Sequence, residues 1–193
     1  MEKKFIGQPI ERKEDARLLI GKGLFIDDIE LPGMLHAAFK RSDYAHARIN
    51  SIDVSAARKR PGVVAVYTAE DFGDYWKVGP LQVPPPLAIE GSTFHARPLP
   101  PIAKDKVRYS GEPLAVVIAE SRYIAEDAFD DIIVDMEPLD VVIDMEKALE
   151  PGSTLVHDDM ESNLSALVTQ KVGDFEAAHQ AADLVVKRRF HID

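Results

Sequence analysis

Cysteine is absent from this 193-residue chain, which excludes disulfides, thiolate zinc sites and iron–sulfur clusters held by the chain itself. That absence fits a reducing compartment, and a cytoplasmic location is the expectation. Long apolar runs are missing too. The longest, Leu114 to Ala119, has six residues, against the roughly 20 that a membrane-spanning helix needs. No apolar stretch follows Met1-Glu-Lys-Lys4, so no secretory signal is expected. Basic charge is scarce where acid is dense. From Glu120 to Glu161 there are 14 acidic and two basic residues, a net of −12 in a chain whose total is −10. Such a belt repels phosphate backbones and argues against nucleic-acid binding. It reads as a solvated helix face with acidic loops, or else as a docking face for a basic partner.

Catalytic motifs are lacking as well. Gly21-Lys-Gly23 is half of a dinucleotide fingerprint with no third glycine in place, so it reads as a turn. The histidines at 36, 46, 95, 157, 179 and 191 have no helical i, i+4 partner, and His36 reads as a packed or surface histidine, not a ligand. His157-Asp158-Asp159 is the most metal-like triplet, but its polar surroundings suggest a solvated loop. Glu112, beside Gly111, is placed as a base would be. A turn carboxylate caught by nearby N–H groups is the commoner arrangement. No Ser/His/Asp order stands out. The residues therefore predict no catalytic, cofactor-binding or metal-binding side chain.

What is present is a mixed α+β pattern. Residues 1–17 read as a polar, extended arm, with Pro9 steering Gln8 away from helical geometry. Leu18–Ile20 and Leu24–Ile26 look strand-like around glycine turns, and Leu31-Pro-Gly33 signals a turn. Strands are expected at Met34–Phe39, Arg48–Val54 and Val63–Tyr67, with a short helix at Ser55–Arg60 stopped by Pro61-Gly62. The alternation of Ile49, Ile52 and Val54 is imperfect.

The stretch from Gly73 to Pro101 holds seven prolines and three glycines and is expected to be a long loop. Its Tyr75, Trp76 and Phe94 rings favour burial over disorder. After it, Leu114–Ala119 is apolar on both faces, as a central strand is. Ser121 is placed to cap a helix whose Ala125, Phe129 and Ile132 share one side. Strands at Ile132–Val134 and Val141–Ile143, a turn at Glu137-Pro138, and a brief helix at Glu146–Leu149 follow. Residues 153–165 read as an irregular linker. Leu167–Val172, a helix at Phe175–Ala182 capped by Asp174, and Leu184–His191 suggest a β-α-β unit with no sheet to join within the chain.

Several blocks stand together in order: Ile6-Gly-Gln-Pro9, Arg12-Lys-Glu-Asp15, Phe25-Ile-Asp-Asp28, Leu31-Pro-Gly-Met-Leu-His-Ala-Ala-Phe39, Ala45-His-Ala-Arg-Ile49, Pro61-Gly-Val-Val-Ala-Val66, and Val107 through Ala128. Asn163 and Gly173-Asp174 with Ala182-Asp183 continue the series. This series resembles the N-terminal part of the molybdenum hydroxylase large subunit, the xanthine dehydrogenase, aldehyde oxidase and carbon monoxide dehydrogenase family. Met136 and Asp140 depart from it, standing where the family commonly has an aromatic residue and a proline.

The resemblance implies an α+β fold: an α/β hammerhead domain over 18–149, a linker over 150–165, and over 166–193 the first β-α-β piece of a truncated molybdopterin-binding domain. It implies the N-terminal structural portion of a molybdopterin-binding subunit without the catalytic centre, inactive alone and an oxidoreductase only once assembled. No cofactor is expected on this chain alone. The assembled enzyme would carry the molybdenum cofactor, with iron–sulfur and FAD groups on partner subunits. The remainder of the large subunit and those subunits are the partners implied. Two other readings stay open: a non-catalytic binding module using the 73–101 loop, and a non-functional fragment. The resemblance does not choose among purines, aldehydes, N-heterocycles and carbon monoxide as substrate.

Overall fold

The structure is a computed structural model that describes residues 6–76, 91–95 and 99–190. Its elements, in chain order, are α1 (Asp15–Leu19), β1 (His36–Arg41), β2 (Ala47–Asp53), β3 (Val63–Thr68), β4 (Thr93–Phe94), β5 (Lys106–Val107), β6 (Pro113–Ala119), α2 (Arg122–Asp127), β7 (Ile133–Pro138), β8 (Ala166–Leu167) and α3 (Phe175–Ala181). They form two three-stranded antiparallel sheets, ordered β1-β6-β3 and β5-β2-β7, and a two-stranded ribbon of β4 and β8.

The apolar run Leu114–Ala119 dictates the centre of this arrangement. As the middle strand of the first sheet, β6 loses both faces to neighbours, which suits side chains that are apolar at every position. Ala115, Val117 and Ala119 point into a core with Val66, Val54, Ala57, Ala125, Ala128 and Ile132. Leu114 enters a second cluster with Ala47, Ala103 and Val107 that joins the two sheets. Val116 faces the opposite way, onto Ala69 and Ile102, with Ile118, Phe72 and Trp76 beside them. Each fully buried Val, Leu or Ile side chain here contributes about 1.5–3 kcal/mol of transfer free energy.

The helix that covers β6 follows from its cap. Ser121 is extended and its hydroxyl accepts from Ile124 N at 3.2 Å, satisfying one of the first-turn amides that a helix leaves open. The α-helix is shorter than its apolar spacing suggests, passing into a 3-10 turn at Ala128–Asp131. Ala125 and Ile132 are nevertheless buried and Phe129 packs against them.

The broken alternation in β2 has a structural cause. Its register with β7 shifts between Ile49 and Ser51, a bulge that adds one residue to the strand and returns Ile52 to the core side.

Four expected strands do not form and a fifth forms only at its start, since a strand needs a partner. Leu18–Ile20 is taken up by the end of α1, and Ile26–Asp28 forms a 3-10 turn, with Leu19, Ile20, Leu24, Phe25 and Ile26 exposed. Val141–Ile143 pairs with no strand, although β7 keeps an open outer edge. The ladder instead runs on through Glu137-Pro138, which belongs to β7 and is not a turn. Of Leu167–Val172 only the start pairs, and residues 184–190 form no strand. The β-propensity of these segments does not by itself bring them alongside a strand. His191 lies outside the described residues.

The long loop is described at 73–76, 91–95 and 99–101; it is not structureless throughout, since β4 lies within it and pairs with β8, and its triple proline lies outside the described residues. Trp76 anchors the first end. Its indole N–H donates to Ile102 O at 2.8 Å, and Lys104 Nζ stands 5.7 Å from the ring centroid. Tyr75, expected to seek burial, is 90% exposed.

Candidate functional site

Chemistry-bearing side chains converge where the corner between β1 and β2 meets β5 and the turn before β6. Gly111 makes this turn possible with φ +87°, a conformation that costs a residue with a Cβ. Ser42 and the turn then exchange backbone hydrogen bonds: Ser42 N donates to Glu112 O at 2.9 Å, and Gly111 N donates to Ser42 O at 2.8 Å. Glu112 is thereby carried into the interior, where it is fully buried.

One oxygen of that carboxyl, Oε2, accepts from Arg108 N at 2.5 Å. The expectation of a turn carboxylate held by a nearby N–H is met. Burial pushes the Glu112 carboxyl above its usual range, against the opposing pull of the Arg108 amide and guanidinium. Its other oxygen, Oε1, has no hydrogen-bond partner among the described residues, and neither have His46 Nε2 and Arg108 Nε.

His46 is 5% exposed. Its Nδ1 lies 2.7 Å from Asp140 O and its carbonyl accepts from Leu139 N at 2.9 Å. The histidine therefore ties the start of β2 to the chain leaving β7. Lys106, in β5, is also buried, and its ammonium reaches Asp158 at 2.6 Å. That ammonium, with Arg108 and His46 near it, holds Asp158 below the usual carboxylate range.

The structure thus gathers His46, Lys106, Arg108, Glu112 and Asp158 into one neighbourhood. It leaves the other candidates apart. His36 opens β1 opposite Ala119. His95 is exposed and donates its backbone N–H to Ser165 O. His179 stacks on Phe175, with ring centroids 5.6 Å apart. Gly21 has φ +70° and closes α1, with its N–H on Leu18 O, so Gly21-Lys-Gly23 is the turn it was read as. Of His157-Asp158-Asp159, Asp158 serves an ion pair.

Sequence reasoning singles out neither Lys106 nor Arg108, and it takes His46 only as a histidine without a helical partner. Lys106 lies between the long loop and the block that opens at Val107, with no local mark, and the pairing of β5 with β2 accompanies its burial. His46 precedes a strand with no local signal, because its partner Asp140 is 94 residues away.

As a cradle for a metal–pterin group this arrangement does not fit. Lys106 is taken up by Asp158, Glu112 by the Arg108 amide and His46 Nδ1 by the Asp140 carbonyl, and the described residues contain no cluster of three His, Cys, Asp or Glu able to hold a metal ion. What it does is join the two sheets through polar contacts. No step of a reaction is assigned to it.

The comparisons with known proteins agree with the fold. Residues 20–140 match the family described as aldehyde oxidase and xanthine dehydrogenase, a/b hammerhead domain. The chain belongs to that family, and its structural relatives are molybdenum hydroxylases. It is 40% identical over 186 residues to the nicotine 6-hydroxylase large subunit of Paenarthrobacter nicotinovorans, covering 96% of this chain and 22% of that protein. Among solved structures, quinoline 2-oxidoreductase from Pseudomonas putida 86 superposes with a TM-score of 0.72 at 43% identity, over 85% of this chain and 20% of that one. The Cu,Mo-CO dehydrogenase superposes with a TM-score of 0.66 at 38% identity, over 82% and 19%. The chain spans about a fifth of the length of these relatives.

Proposed function

We propose that this chain is the N-terminal structural portion of the molybdopterin-binding subunit of a molybdenum-dependent hydroxylase, contributing scaffold and not the catalytic centre. The observation that carries this reading is one of proportion: the relatives match nearly the whole of this chain while it matches only about a fifth of them. In this reading residues 1–17 are an arm, 18–149 the hammerhead domain and 150–165 the connection to residues 166–193, which open the molybdopterin-binding part. The exposed Leu184, Val185, Val186 and Phe190 support it, since an apolar, β-prone segment in water is a surface that a further body of protein covers.

The molybdenum cofactor is then held by polypeptide other than residues 1–193, and the iron–sulfur and FAD groups by partner subunits in the cytoplasm. None of the described helices is long and apolar enough to cross a membrane. Affinity capture of the chain from its native cells, followed by mass spectrometry and molybdenum analysis, tests the proposal. A large co-purifying polypeptide carrying molybdenum is the expected result. Recovery of the chain alone, free of metal, would overturn it.

A further inference from the structure

Between β7 and β8 the chain has no α-helix or paired strand, only a 3-10 turn at Lys147–Leu149. Side chains fasten it instead. Asn163 uses both ends of its amide: Oδ1 accepts from Val156 N at 3.0 Å, and Nδ2 donates to Ala148 O at 3.0 Å and Thr154 O at 2.9 Å. One side chain thus draws residues 148 and 163 together and closes the segment between them, in the manner of a compact Ω-loop.

A second fastening comes from a different element. The Lys106 side chain is 10% exposed whereas that of Asp158 is 77% exposed. The loop brings its carboxylate to a cation that emerges from the sheets. A largely buried ammonium without a counter-charge is costly, so the loop position that supplies Asp158 is favoured over others.

We propose that Asn163 and the Lys106–Asp158 pair act together as a clasp that holds residues 148–163 as a rigid strap on the second sheet. Asn163 sets the shape of the strap and Lys106 sets its place. The direction in which the chain leaves the sheets is then built into the fold, where a polar linker would leave it free. Ordinary surface loops of this composition open readily because few contacts oppose it. Here each fastening limits the motions available to the other, so the two are energetically coupled. The proposal rests on contacts within this chain and stands apart from the functional reading above.

Hydrogen exchange on the full chain tests it, with each variant read at an amide the other fastening holds. In Lys106→Met the Val156 amide, which is bound to Asn163, is expected to exchange about tenfold faster. In Asn163→Ala the Met160 amide, which bonds His157 O beside Asp158, is expected to do the same. Protection of the β6 amides is expected to be unchanged and reports an intact core. Should Lys106→Met disturb β6, Asp158→Asn at its exposed position makes the same break without touching the interior. Unchanged exchange at Val156 in both Lys106→Met and Asp158→Asn would overturn the proposal. So would unchanged exchange at Met160 in Asn163→Ala, since either result would mean that the fastenings are independent.

Discussion

Glu112 and Asp158 are the two carboxylates of the buried neighbourhood, and burial and charge move them in opposite directions. Burial raises the affinity of Glu112 for a proton in the folded state. The native chain therefore binds more protons than the unfolded chain as pH rises above the ordinary Glu value of 4.5, and stability falls through that window. Replacing Glu112 with Gln is expected to flatten this fall, as chemical unfolding followed from pH 4 to 7 would show; a slope equal to that of the parent would contradict it. Asp158 behaves in the reverse sense. Lys106 favours its ionised form, so its contribution is present above the ordinary Asp value of 3.8 and is lost as pH falls below it. Asp158→Asn is expected to be less stable than the parent at neutral pH, with the gap closing in acid.

These two roles differ in how much the sequence discloses. The position of Glu112 after Gly111 marks a turn carboxylate, because the turn is local. Lys106 and His46 carry no such mark. Their burial depends on partners 52 and 94 residues distant, and no short-range rule reaches so far.

Strand β6 was legible from Leu114 to Ala119, and so was the cap of α2 at Ser121. A run that is apolar on both faces has only one stable position in a sheet, the middle. Leu114 is 1% exposed and joins the two sheets, so Leu114→Ala leaves a cavity between them. A loss of about 2–5 kcal/mol is expected, measured by urea unfolding at fixed pH; a loss below about 1 kcal/mol would show that the sheets close over the space. Residues 141–143 and 184–186 are also apolar yet remain unpaired. Propensity for a strand is a property of the segment, whereas a ladder also requires that the chain path lay it alongside an edge. The bulge in β2 sits between these cases: the faulty alternation of Ile49, Ile52 and Val54 was visible, and the structure supplies its cause.

Across the whole molecule, the acidic belt from Glu120 to Glu161 is partly neutralised from within the chain. Arg48 meets Glu137, Arg60 meets Asp131, Lys106 meets Asp158 and Arg189 meets Glu146. Every one of these basic partners comes from outside the belt. Several are exposed, so they add little stability individually, but they lower the charge that the belt shows to a partner and favour the solvated-face reading over a basic docking partner. The sequence by itself determined family, fold class, the central strand and the helix caps, because periodicity, capping and motif order are local properties of the chain. Only the tertiary structure decided which apolar segments become strands, which charges are buried together, and that residues 148–163 are strapped to the sheets. Those outcomes depend on edges, faces and counter-charges that distant segments supply, and they exist only once the chain has closed on itself.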